Sequence, residues 1–213
     1  MRAILGLLTL LVLGLVFFVV PPAEGLGYYV RLAFFHIPVA WVAVLAFFIS
    51  AFEGGRFLQK GEMMADAKSA AAAQLGFFFV ILATVSGAVF SKLTWGAYWN
   101  WDPRQTTIFV LLLIYGAYLT LRGAMPAGRK RAKAAAVYAL FSFLTVPFLV
   151  FIIPRLYFSL HPSPVINGSG LAMDTVMLIV LIAALVDVTG IFYGLYKWQV
   201  KRLLAEEVDV CAK

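Results

Sequence analysis

Six long apolar runs, at residues 3–20, 32–51, 74–92, 105–121, 134–153 and 171–196, decide what this 213-residue chain can become. Each could cross a hydrocarbon core of ~30 Å as a helix of roughly 17 to 25 residues. Short polar or Gly/Pro-containing joints separate them. With 63% hydrophobic and only 13% charged residues, the chain cannot clothe a globule in water. In lipid, backbone groups must be satisfied within each segment, and the runs lack the alternation of barrel strands. The expectation is an all-α polytopic membrane protein, six transmembrane helices in one domain over 1–213. The first run precedes Pro21, Pro22 and Ala23 as a signal peptide would, but its ~18 apolar residues exceed a signal's usual apolar stretch, which favours a retained helix.

Charge orients the bundle. A cytoplasmic N-terminus gathers Arg2, Arg56, Lys60, Lys68, Arg122, Arg129, Lys130, Arg131, Lys133, Lys197, Lys201, Arg202 and Lys213 on the inner side. That is 13 of the 17 cations; Arg31, Lys92, Arg104 and Arg155 remain outside. The bias predicts both termini inside. It also accounts for the net charge of +7 without a nucleic-acid partner, since the anionic lipid of the bilayer suffices. The single cysteine, Cys211, lies in the cytoplasmic tail, which excludes a disulfide framework or a thiolate metal cluster within one chain. Segments 52–72 and 122–133 read as basic inner connectors, and the tail after Lys197 as a frayed amphipathic extension of the last helix.

The outer joints hold the unusual residues. Segment 93–104 contains WGAYWNW, residues 95–101, followed by Asp102, Pro103 and Arg104. The chain's two histidines fall on the same side. His36 lies about five residues into the second run, on the order of 7 Å below its outer end, and His161 sits in the third outer joint, held extended by Pro162. Pro38 removes a helical hydrogen bond beside His36. Two neutral imidazoles on different elements can supply both axial bonds of one haem iron. Trp95, Tyr98, Trp99 and Trp101 could wall a flat macrocycle, and Arg31 and Arg104 could pair with its propionates.

Plainer readings stand beside these. Aromatics gather at membrane interfaces as belts. A helix histidine is often a satisfied polar group between helices, and a loop histidine often faces water. Asp102 could cap the fourth helix or pair with Arg104, and Arg31 and Arg155 could simply snorkel. Asp187, late in the last run, suits either proton relay or a hydrogen bond within the bundle.

The stretch TWGAYWNWDPRQT (94–106) resembles the WWD signature of the haem-handling proteins of cytochrome c biogenesis. VRLAFFHIPVAW (30–41) and LHPSPVINGSGLAMD (160–174) are similar to that family's segments around its two outer histidines. Length and helix number resemble the CcmC type, while the Asp-Pro of WDPRQT is shared with the larger synthetase types, CcsA and CcmF. The resemblance implies haem b held at the periplasmic face of a bacterial inner membrane by His36 and His161, against Trp95, Trp99, Trp101 and Asp102. It implies transfer to a periplasmic haem chaperone (CcmE type), with ABC transporter subunits (CcmA and CcmB types) driving release and room for a small membrane subunit (CcmD type). Such a protein presents haem without a catalytic nucleophile of its own. Three other readings predict different features. A b-type electron carrier usually needs a second, deeper haem, which two histidines cannot bis-ligate. A haem-lyase subunit of the WWD family is usually longer. A secondary transporter predicts broken helices at the midplane or an internal repeat, and neither is visible.

Overall fold

A computed structural model describes residues 2–161, 166–167, 170–171 and 173–211. Pro162, much of the 160–174 segment and Lys213 lie outside the described residues. The chain is helical, with helices α1 (Arg2–Phe18), α2 (Ala33–Lys60), α3 (Met63–Trp95), α4 (Pro103–Ala124), α5 (Arg129–Pro147), a short α6 (Ile153–Leu156) and α7 (Thr175–Cys211). A 3₁₀ turn, Tyr28–Leu32, leads into α2, and a π-helical stretch, Phe148–Ile152, joins α5 to α6. One antiparallel pairing of two-residue segments, 166–167 with 170–171, lies in the third joint.

Five helices are long and apolar enough to cross a membrane. The apolar part of α1, Ala3–Phe18, is shorter than the run 3–20, because Pro21 and Pro22 disfavour helical backbone just before them. The expected connector 52–72 is helical except at the turn Gly61–Glu62. Bilayer thickness limits only the apolar window of a helix, and the Ala-, Met-, Lys- and Glu-rich sequence here continues the helix beyond it. For the same reason α4 and α5 shorten segment 122–133 to the non-helical residues 125–128, and α7 is helical to Cys211 rather than ending near 196.

Lipid supplies no hydrophobic drive between helices, so packing rests on small residues and polar pairs. Ala70, Ala71, Ala72 and Ala73 of α3 are all fully buried, which lets its neighbours approach closely. The central core joins Val42, Ala46 and Phe47 of α2 with Val80 of α3, Leu111 and Tyr115 of α4, Val146 of α5 and Phe192 of α7. At its middle Phe47 stacks on Tyr115, ring centroids 3.4 Å apart. A second cluster holds Val12 and Val16 of α1 against Phe34 of α2 and Val180 and Leu181 of α7. Here Thr9 Oγ1 donates to Asp187 Oδ1 at 3.0 Å, so Asp187 fastens α1 to α7. Near the end where α2 stops and α3 starts, Arg122 of α4 grips Asp66 of α3 with two hydrogen bonds of 2.8 and 2.6 Å. Arg122, expected in a basic inner connector, is therefore a buried member of α4. At the opposite end of the bundle α2 begins, α3 stops and α4 begins, and the histidines lie there.

Candidate functional site at the WWD end of the bundle

The aromatic segment is a short irregular link, 96–102, between α3 and α4. Gly96 ends α3 at φ 84°, a left-handed conformation suited to glycine, and its N–H bonds back to the Lys92 carbonyl. Asp102 starts α4: its Oδ1 accepts from the Arg104 N–H at 2.8 Å, and Pro103 stands at the first helical position, where no N–H is needed. Between these ends, Asn100 donates to Ser91 Oγ (2.8 Å), and Gln105 Oε1 accepts from the Asn100 N–H (2.8 Å). Gln105 Nε2 donates to the Tyr98 carbonyl at 3.2 Å. Trp101 has φ 55°, a strained value for a bulky residue, and 74% of its surface is exposed.

His36 is the fourth residue of α2 and faces α3. Its Nδ1 lies 3.0 Å from Ser86 Oγ. A side-chain carbon at Gly87 would stand 3.0 Å from His36 Cε1, so the glycine leaves the space the ring occupies. The Ser86 hydroxyl has one proton, directed to its own helix's carbonyls at Leu82 (2.8 Å) and Ala83 (3.1 Å). Ser86 Oγ is thus left to accept, His36 Nδ1–H must donate, and the lone pair of the neutral ring resides on Nε2.

His161 reaches the same arrangement by another route. Its Nδ1 stands 3.2 Å from Asp102 Oδ1, within ion-pair distance though off the line of an aligned hydrogen bond. Burial favours the neutral carboxyl of Asp102, but the N–H groups of Arg104 and Leu160, the Ser159 hydroxyl and His161 outweigh it and hold the group below its ordinary pKa. The Leu160 N–H bond is 2.7 Å, and Ser159 Oγ lies 2.9 and 3.1 Å from the two carboxylate oxygens. Asp102 is therefore an anion that can only accept, which directs the His161 Nδ1 proton toward it and leaves Nε2 the lone pair. Burial lowers the pKa of His161, Arg104 lowers it further, and Asp102 only partly opposes them; the ring is neutral near pH 7. Besides Ser86, the backbone of Ala83 on α3 is a hydrogen-bond partner of the His36 ring.

The electrostatic influence of His161 reaches His36, and that of Arg104 reaches both. Arg104 Nε is buried without a hydrogen-bond partner among the described residues. Arg155, which donates to the Phe151 carbonyl, is within electrostatic reach of Arg104. Arg31 is engaged elsewhere: its Nη2 donates to the Val20 carbonyl at 3.2 Å, and its guanidinium lies 4.3 Å from the centre of the Tyr28 ring. Of the aromatics, Trp95 adjoins His161, with ring centroids 5.3 Å apart, and is itself buttressed edge-on by Phe90. Trp99 stands edge-to-face with both Trp101 and Phe109. Tyr98 is exposed and lies beside Lys92, away from these contacts.

Sequence reasoning passed over Ser86, Gly87, Gln105 and Ser159. The Ser-Gly pair inside an apolar run and a serine two residues before His161 were their only signals. Asp102 has one of its plainer roles, the helix cap; its ion-pair partner among the described residues is His161 rather than the Arg104 side chain.

A family model described as CcmC, heme exporter protein C, matches residues 1–210. A heme exporter protein C from Bradyrhizobium diazoefficiens is 30% identical over 171 residues, 80% of this chain and 65% of that one. A ccmC-like mitochondrial protein of cytochrome c biosynthesis from Marchantia polymorpha is 27% identical over 196 residues, 91% of this chain and 83% of its own. A cytochrome c biogenesis protein CcsA from Panax ginseng is 34% identical over 87 residues, covering 41% of this chain and 26% of that protein.

Proposed function

Because the chain belongs to the CcmC family of heme exporter protein C, we propose that it holds haem b between His36 and His161 and presents it for cytochrome c biogenesis. The observation that carries this reading is the matched state of the two rings. Each Nδ1 faces a protein oxygen, Ser86 Oγ or Asp102 Oδ1, and each Nε2 keeps its lone pair for iron. Metal-bound histidines ordinarily have such an outer partner, which fixes the tautomer and the ring's direction. Nothing in a belt of interfacial aromatics requires it.

The remaining side chains suit the same cargo. Trp95, beside His161, offers a flat apolar wall, and Trp99 and Trp101 extend aromatic surface toward the exposed rim. Arg104, with an unpaired Nε, would hold one propionate. For the other propionate the candidates are Arg31, whose Nε is likewise without a partner while its Nη2 bonds the Val20 carbonyl, and Arg155, which bonds the Phe151 carbonyl and lies within electrostatic reach of Arg104. When bound, haem supplies the iron and the reactive vinyl edge; the chain binds, orients and shields. It has no need of a nucleophile, because its task is positioning.

The distribution of cations supports six crossings with both termini cytoplasmic, which turns the histidine end toward the periplasm of a bacterial inner membrane. From there haem would pass to a chaperone of the CcmE type, with CcmA-, CcmB- and CcmD-type subunits as membrane partners. The test is purification of the full chain from haem-replete membranes, followed by mixing with the chaperone's soluble domain. The expected results are a Soret band on the wild-type protein and its transfer, with transfer slowed by Trp99→Ala or Trp101→Ala. A colourless wild-type protein overturns the reading.

A further inference from the structure

Starting at the end of the bundle away from the histidines, an open groove of about 740 Å³ runs along α5 beside Ile114 of α4. Ile114 of α4 and Val137, Tyr138 and Phe141 of α5 line it, with Lys130 and Lys133 at one end and Thr145 at the other. Its floor is sealed by Tyr138, whose hydroxyl donates to the Ile114 carbonyl at 3.1 Å. Val137 and Phe141 are exposed large apolar residues. Neither lysine forms an ion pair among the described residues.

We propose that this groove seats one anionic phospholipid, its phosphate on Lys130 and Lys133 and an acyl chain along Val137 and Phe141. Charge is the first argument. The first turn of α5 contains no acidic residue, and Gly128 provides no side-chain cap. The lysines therefore add positive charge to a helix end that is already positive, an arrangement that an anion relieves. Length is the second. From Lys133 to Thr145 a helix rises ~18 Å at 1.5 Å per residue, close to the ~15 Å of one leaflet's hydrocarbon. A headgroup at the lysines therefore leaves an acyl chain lying against the apolar wall to its end. Lys130 and Lys133 also belong to the cation-rich side, where anionic lipid attracts basic residues. The site does not depend on haem, and the two readings can fail separately.

The test uses the full chain in nanodiscs of phosphatidylcholine alone or with phosphatidylglycerol. Native mass spectrometry should show wild-type protein retaining phosphatidylglycerol over phosphatidylcholine. The Lys130→Gln/Lys133→Gln variant should lose that preference, roughly fivefold for each lysine, while Lys201→Gln on exposed α7 keeps it. Equal retention of both lipids by the wild type, or an unchanged preference in the double variant, overturns the proposal. A photo-crosslinker at Phe141 in native membranes should yield lipid adducts. Adducts to a partner's helix or to a second copy of this chain would overturn it too.

Discussion

Asp102→Asn separates the two roles of one carboxylate. Asparagine caps a helix as well as aspartate does, so the bond from the Arg104 N–H and the start of α4 should survive. The charge facing His161 disappears. One oxygen becomes an amide nitrogen, and since the Leu160 N–H points at the second oxygen from 2.7 Å, a donor there meets a donor, while the Ser159 hydroxyl at 2.9 Å can turn to accept. Leaving a buried donor unsatisfied costs ~1–3 kcal/mol, and that cost falls on the segment that carries His161. Loss of an outer-shell partner typically weakens a metal site by roughly 10–100-fold, or ~1.4–2.8 kcal/mol, the same range. Haem titration of the purified variant, followed at the Soret band, should show that loss, while far-UV circular dichroism stays at the wild-type level. Asp102→Ala should lose about 1 kcal/mol more in thermal stability through the missing cap. Haem affinity of the asparagine variant within twofold of wild type would refute the orienting role.

The partner of His36 can be tested in parallel. Ser86→Ala removes the side-chain acceptor facing Nδ1 and leaves the Ala83 backbone, so it should weaken haem binding by about 10-fold, the lower end of the usual range of roughly 10–100-fold, while changing the unfolding temperature little. Gly87→Ala pushes a methyl to 3.0 Å from His36 Cε1 and should weaken binding by displacing the ring; wild-type affinity in both variants would remove α3 from the site. The pKa of His161 is held below its ordinary 6.5 by burial, so in the window below pH 6.5 the unfolded chain binds more protons than the folded one. Stability of the haem-free protein should therefore fall as pH drops from 6.5 toward the folded-state value. His161→Gln should reduce that slope without abolishing it, since His36 contributes in the same window, and an unchanged slope would contradict it. At the other end of the bundle, Asp66→Ala removes the carboxylate from buried Arg122 and should cost about 3 kcal/mol in thermal unfolding, with the haem spectrum of the surviving folded protein unaltered.

What the sequence made legible follows from which forces act locally. Hydropathy runs reveal helices because lipid leaves the backbone no alternative, and the bias of cations placed His36, His161 and the tryptophans at one end. Helix ends were less legible. Bilayer thickness marks where apolar side chains stop, whereas the backbone of 52–72 continues as helix beyond that window on Ala, Glu and Lys propensity, with Phe57, Ala65 and Asp66 still packed in the bundle. Ser86 and Ser159 were hidden for another reason: each lies more than 45 positions along the chain from the group it orients, and a serine in or near a helix has no local signature. Arg122 was misassigned to a connector because a basic residue near a turn resembles any inward-facing cation until Asp66, 56 positions away, is seen beside it. Arg31 and Arg104 looked equivalent as lone outer cations, and only the geometry distinguishes Arg31, engaged at the end of α1, from Arg104, which acts on both histidines.

The most direct measurement is the electron paramagnetic resonance spectrum of ferric haem on the purified full chain. Two neutral imidazoles bound through Nε2 predict a low-spin bis-histidine signal, converted to high spin by His36→Ala and equally by His161→Ala. A low-spin signal that survives either substitution would mean that the iron is not held between these two rings.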